Sequence, residues 1–138
     1  MRFKNLSNQE VRLNIVPSKY PVRSLSQSKS KGQHNLGRQI QKTYGMKATL
    51  LEEFSIPDER LYIDFFLPNH GLAFEFQGEQ HDEFNKFFHG TKHGFTASKK
   101  RDERKRLWCE LNDITLVEVR DAHLSAEDLQ KLIQESRE

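Results

Sequence analysis

The stretch LYIDFFLPNHGLAFEFQ, residues 61–77, decides how the rest of the chain is read. Two runs rich in strand formers, 61–67 and 72–77, flank Pro68-Asn69-His70-Gly71, a turn sequence. They predict an antiparallel hairpin. Pairing Leu67 with Leu72 sets Asp64 opposite Glu75 and Tyr62 opposite Gln77. Side-chain alternation then gathers Leu61, Ile63, Phe65 and Leu67 with Leu72, Phe74 and Phe76 on a face expected to be buried. Asp64, Glu75 and Gln77 share the other face. Opposed side chains there have Cβ atoms about 4.5–5.5 Å apart, where like charges destabilise. A divalent cation between the carboxylates would remove that penalty. Mg²⁺, with Mn²⁺ as its substitute, favours carboxylate oxygens and commonly takes only one or two from protein. Such an ion polarises a phosphoryl oxygen and lowers the pKa of bound water, which is the chemistry of phosphodiester hydrolysis. The alternative is an ordinary exposed strand face with unrelated acids, and a one-residue slip in register would separate the pair.

Upstream, residues 49–56 read as a strand closed by Pro57-Asp58-Glu59, and residues 32–44 as a short amphipathic helix through Leu36, Ile40 and Tyr44, stopped at Gly45. Residues 1–31 hold Pro17, Pro21 and the serine-rich SLSQSKS with no helical period. They are expected to form an extended basic N-terminal arm, with a short strand near 11–16. Downstream, residues 79–95 suggest an irregular loop with aromatic anchors. A helix is expected over 96–111 with Leu107, Trp108 and Leu111 on its apolar side, then a strand at 114–119 (ITLVEV). Ser125-Ala-Glu-Asp128 has capping-box spacing and opens a last helix. The expected architecture is α/β, a small mixed sheet flanked by helices, with a 1–31 arm and a 32–138 domain.

At 138 residues, 35% hydrophobic and 30% charged, the chain is lean for a compact globule, which agrees with an arm. The single cysteine, Cys109, excludes an intramolecular disulfide and fits a reducing compartment. No stretch has the roughly 20 apolar residues of a membrane span, so a cytoplasmic protein without a membrane partner is expected. The formal net charge of +2 hides an asymmetry: residues 1–50 carry ten Lys/Arg against Glu10 alone, while residues 51–138 carry twelve against nineteen acids. A basic front half suits a polyanion, and nucleic acid is the commonest one; a solvated basic tail is the plain alternative.

The run from Asp64 through Glu75-Phe76-Gln77 resembles the PD-(D/E)XK nuclease superfamily. LYIDFFLPNHGLAFEFQGEQH followed by KKRDERKRLWCELNDITLVEVR is similar to Vsr-like nucleases, the very-short-patch repair and phage homing endonucleases. The shared features are the Asp in the first hairpin strand, the Gly-x-Gln-His after the second, an Arg-Asp on the next helix and an Asn-x-Ile-x-Leu strand. The resemblance covers about residues 31–120. It implies a restriction-endonuclease-like fold and a Mg²⁺-dependent endonuclease acting on DNA rather than on a small molecule. As a monomer such a protein nicks; a homodimer is the other arrangement.

Within that resemblance Asp64 is the principal metal ligand, and Glu75 is a second ligand or orients the attacking water. Gln77 stands where many relatives carry Lys, and a neutral amide supplies neither a base nor a positive charge. His81 is the candidate to move the proton, since a neutral imidazole near pH 7 can accept or donate one. Asp102 corresponds to the Arg-Asp of relatives and orients His81 or completes the acidic site; an ion pair with Lys99, Lys105 or Arg106 on its own helix serves equally well. Gln33 stands where relatives carry a helix Glu. Lys19, Lys29, Lys31 and Arg38 on the arm side, with Lys99, Lys100, Arg101 and Lys105 beside Asp102, are candidate phosphate contacts. A zinc set of His81, His89, His93 and Cys109 is the weaker reading of those residues. Two other functions stay open: a DNA-binding module without catalysis, suggested by Gln33 and Gln77, and a factor that offers its basic arm to an acidic protein.

Overall fold

The hairpin forms in the expected register. In the computed structural model, which describes residues 1–78 and 92–138, strand β4 (Tyr62–Leu67) pairs antiparallel with β5 (Leu72–Phe76) through Phe65↔Phe74, Phe66↔Ala73 and Leu67↔Leu72. Pro68–His70 makes one 3₁₀ turn between them, and Gly71 closes it at φ 61°, a left-handed value that glycine takes without a Cβ penalty. Strand β3 (Leu51–Ser55) adds antiparallel to β4, and β6 (Thr115–Val119) adds parallel to β5, giving the sheet order β3-β4-β5-β6.

Both faces of this sheet are covered. Helix α1 (Lys31–Tyr44) and helix α3 (Ala126–Arg137) lie on one face, where Leu36, Ile40, Leu129 and Ile133 pack on Phe65, Leu67, Phe74 and Val117. Ser30 caps α1 by accepting the Gln33 N–H, and the capping box at Ser125 and Asp128 is present at α3. Helix α2 (Lys92–Leu111) covers the other face, where Trp108 and Cys109 meet Leu51, Phe54, Ile63, Phe66 and Ala73. It begins four residues earlier than its sequence suggests. Its inward residues also differ from expectation, because Trp108 and Cys109 are buried while Leu107 is 43% exposed.

The expected single apolar face of the hairpin is corrected in the same way. Leu61 and Ile63 belong to the α2 side, whereas Phe65 and Leu67 belong to the α1 side. Alternation breaks at Asp64 and, opposite it, at Glu53, whose φ of 55° turns the strand. Each strand carries one unpaired residue between Glu52↔Phe65 and Phe54↔Ile63, so the register survives while the faces exchange.

The N-terminal segment is not an extended arm. Strands β1 (Arg2–Lys4) and β2 (Glu10–Arg12) form a hairpin whose Phe3, 5% exposed, packs on Phe66 and Trp108 with ring centroids 6.2 and 5.6 Å away. The Asn112 side chain accepts the Lys4 N–H and donates to the Lys4 carbonyl, at 2.7 and 3.0 Å. Leu13, Ile15 and Tyr20 continue this packing, and Tyr20 offers its carbonyl to the Glu52 N–H. The first segment thus closes the α2 side of the core. No helix among the described residues is long and apolar enough to cross a membrane.

Candidate functional site

The β4–β5 ladder stops at Phe65↔Phe74, and beyond it carboxylates take over the backbone donors. Glu75 Oε2 accepts the Asp64 N–H at 2.7 Å, and Asp64 Oδ2 accepts the Phe76 N–H at 2.8 Å. Two acids are therefore interlocked across the strands as they part, each satisfying an N–H that a regular ladder would have bonded. Both are buried, Asp64 to 9% and Glu75 to 4% exposure. Burial first, then the charge of Glu75, holds the Asp64 carboxyl well above its usual range, against the pull of the Phe76 N–H and Lys105.

Helix α2 brings the counter-charge. Lys105 Nζ lies 2.7 Å from Glu75 Oε1, with side chains 17% and 5% exposed. Burial works against this ammonium, but Glu75, Asp64 and Asp102 more than offset it, so its pKa is raised and it stays charged. One residue further, Arg106 grips Glu118 through Nε and Nη2 at 2.6 and 3.0 Å. Glu118 is the register partner of Glu75 on the neighbouring strand, so successive residues of α2 match successive strands of the sheet. Asp102 lies close enough to act on both cations, raising the pKa of each.

A second buried acidic pair adjoins the first. Glu52 and Glu53, 2% and 8% exposed, both accept from Gln33 Nε2, at 2.9 and 3.1 Å. Glu52 also takes the Arg23 N–H at 2.7 Å, and Lys29 pairs with Glu53 at 3.1 Å. Gln33 therefore sits where its neutral amide is electrostatically useful. A carboxylate in its place would add a third negative group to a buried pair.

These elements enclose a polar cavity of about 390 Å³, lined by Gln33, Asp64, Glu75, Gln77, Asp102 and Lys105, with Lys29 and Arg101 also at its wall. Of the residues singled out from sequence, the fold brings Lys29, Gln33, Asp64, Glu75, Gln77, Arg101, Asp102 and Lys105 together. Lys19, Lys31, Lys99 and Lys100 are exposed and do not line it. Arg38 lies on another part of α1, beside Gln39, Gln41, Lys42 and Met46. His81 and His89 fall outside the described residues, as does the side chain of His93. Cys109 belongs to the core, its thiol pushed up to about 12 by burial and then by Glu75. Lys29, a candidate phosphate contact from the sequence, reaches the cavity wall. Sequence reasoning missed Glu52 and Glu53; two successive acids inside the apolar run LLEEFSI were the available signal of a broken strand. Among the described residues no group of three or more His, Cys, Asp or Glu side chains is disposed to hold a metal ion.

Two viral proteins are similar to part of the chain. "Uncharacterized protein 033L" of Invertebrate iridescent virus 3 is 44% identical over 64 residues, which cover 46% of this chain and 33% of that protein. "Uncharacterized protein 307L" of Invertebrate iridescent virus 6 is 42% identical over 59 residues, 43% of this chain and 30% of that protein. The matches thus span about a third of these relatives' length. No family model and no solved structure matches the chain.

Proposed function

We propose that the protein is a metal-dependent DNA endonuclease of the restriction-endonuclease-like kind, with its reaction centred on Asp64 and Glu75. The observation that carries this reading is the interlocked carboxylate pair in a polar cavity that also holds Lys105 and Arg101. The element order α1, β3-β4-β5, α2, β6 and the mixed sheet support it. The pair fits a hard divalent cation, whose carboxylate ligands can be as few as two, and a cation there would offset the burial and the Glu75 charge that hold the Asp64 carboxyl up. Asp64 and Glu75 would hold the Mg²⁺ or Mn²⁺, which would polarise a phosphoryl oxygen of the substrate and make a bound water more acidic.

The chain's own residues do the rest. The Asp64 and Phe76 N–H groups fix both carboxylates, so their oxygens are positioned before substrate arrives. Arg101 and Lys29 at the cavity wall supply positive charge for a phosphate backbone. Hydrolysis requires a proton to leave the attacking water and one to reach the departing oxygen as the P–O bond breaks. His81, three residues past Gly78 at the cavity wall, is the group proposed to move them.

The test is conversion of supercoiled plasmid to open circle or linear form in Mg²⁺, Mn²⁺ and EDTA, with wild type and Asp64→Ala. Metal-dependent conversion that is absent in the variant supports the reading, and its products report how many strands are cut. A second reading, a DNA-binding module without catalysis, is favoured by the two neutral amides at the cavity wall, Gln33 and Gln77. DNA binding with no conversion in either metal, on plasmids that include the chain's native genomic context, would establish that module instead.

A further inference from the structure

We propose that Lys105 is the cation that stabilises the charge developing on the reacting phosphate, filling from helix α2 a position that Gln77 on the sheet leaves neutral. This rests on the nuclease reading above. Phosphodiester hydrolysis gathers negative charge on the phosphoryl oxygens, and a fixed positive group beside them is worth most where water is excluded. Lys29 and Arg101 also reach the cavity wall, but the Lys29 side chain is 59% exposed and paired with Glu53, and Arg101 is exposed. Lys105 differs, being 17% exposed and directed at the carboxylate pair itself. Its ammonium uses one N–H on Glu75 Oε1, on the opposite oxygen from the one that accepts the Asp64 N–H. An ammonium has three donors on a flexible four-carbon stem, so further donors remain for a phosphate oxygen in the same cavity.

A purely structural role explains the arrangement less well. A buried ion pair gains little stability over an apolar pair of the same size, because both charges must be desolvated. The apolar part of the α2 contact is already supplied by Trp108 and Cys109, and a second charge clamp by Arg106 and Glu118. Lys105, next in sequence to the Arg106 clamp, lines the cavity instead and reaches Glu75 there.

The experiment compares wild type, Lys105→Gln and the exchange variant Lys105→Gln/Gln77→Lys, all checked for folding by circular dichroism. Plasmid cleavage is measured alongside Mn²⁺ affinity, read by electron paramagnetic resonance of the free ion. Lys105→Gln should cut about 100-fold more slowly or worse, the loss expected for one charge donor to a transition state. It should bind Mn²⁺ more tightly, because a positive neighbour has been removed from the carboxylates. The exchange variant should recover a substantial part of the cleavage by restoring a cation to the cavity. Cleavage by Lys105→Gln at the wild-type rate would overturn the inference and leave the nuclease reading intact. Joint loss of cleavage and Mn²⁺ binding, with no recovery in the exchange variant, would make Lys105 a structural residue. A wild type that binds Mn²⁺ but cuts nothing would remove both readings.

Discussion

Asp64 is where the geometry and the chemistry of single residues meet most directly. Its carboxyl is buried beside Glu75 and its pKa lies well above the ordinary 3.8. Without metal, between pH 3.8 and its raised folded value, Asp64 keeps a proton in the folded protein that the unfolded chain releases. The stability this contributes is fully present below 3.8 and is lost as pH rises through the folded value. Asp64→Asn retains an oxygen for the Phe76 N–H but has no charge to bury. In EDTA, urea midpoints of the wild type should therefore fall relative to those of Asp64→Asn from about pH 4 upward. The variant should also be the more stable protein at pH 7, while being inactive in the plasmid assay. Parallel pH profiles for the two proteins would show that Asp64 is solvated and that the carboxylate pair carries no strain for a cation to relieve.

At the scale of elements, the close approach of α1 to the sheet explains how the acids come to sit over a helix N-terminal turn. A Cβ on Gly37 would lie 2.7 Å from Cζ of Phe65, and one on Gly32 would lie 2.2 Å from Cζ of Phe76. Phe65 is fully buried, so its ring has little room to yield. Alanine gains about 1 kcal/mol of helix propensity over glycine, but overpacking a filled core costs about 1–3 kcal/mol. Gly37→Ala should therefore be destabilised by about 1–2 kcal/mol in chemical denaturation; an unchanged or raised midpoint would mean that α1 does not pack this tightly. Elements with strong local signals were readable from the sequence: the Pro68–Gly71 turn, the Gly45 stop and the Ser125 capping box all act within a few residues. The hairpin register was readable too, and with it the meeting of Asp64 and Glu75. The break at Asp64 was not, because Glu53 matches it on the paired strand and leaves the register unchanged. Nor was the inward face of α2, where Lys105 and Arg106 are held by acids of two strands and shift Leu107 outward. The gathering of Glu52 and Glu53 around Gln33, with Lys29 paired to Glu53, depends on α1 and the residues before it meeting β3, a long-range contact that the acids in LLEEFSI hint at without naming their partners.

Taken as a whole, the molecule spends its basic first half differently from what composition suggests. The first 20 residues are partly core, since three-residue strands with alternating polar positions are too short to leave a period in the sequence. Removing a buried phenylalanine ring costs about 3–5 kcal/mol, so Phe3→Ala should lower stability by that amount; a change under about 1 kcal/mol would restore the picture of a detachable arm. The charge itself is spread over the surface; of the cations in residues 1–31, Lys29 lines the cavity, together with Arg101 and Lys105 from α2. Arg38 stands apart beside Met46. The nuclease reading therefore distinguishes cations that net charge treats alike. Each phosphate neutralised in a duplex contributes about 0.9 to the slope of log K against log salt concentration. For a duplex oligonucleotide titrated in EDTA, Arg101→Ala should reduce that slope by about 1 and weaken binding across unrelated sequences. Arg38→Ala should leave the slope unchanged, although it removes the same charge. Equal effects from the two variants would mean that DNA is held by diffuse charge and that the cavity around Asp64 and Glu75 does not face the backbone.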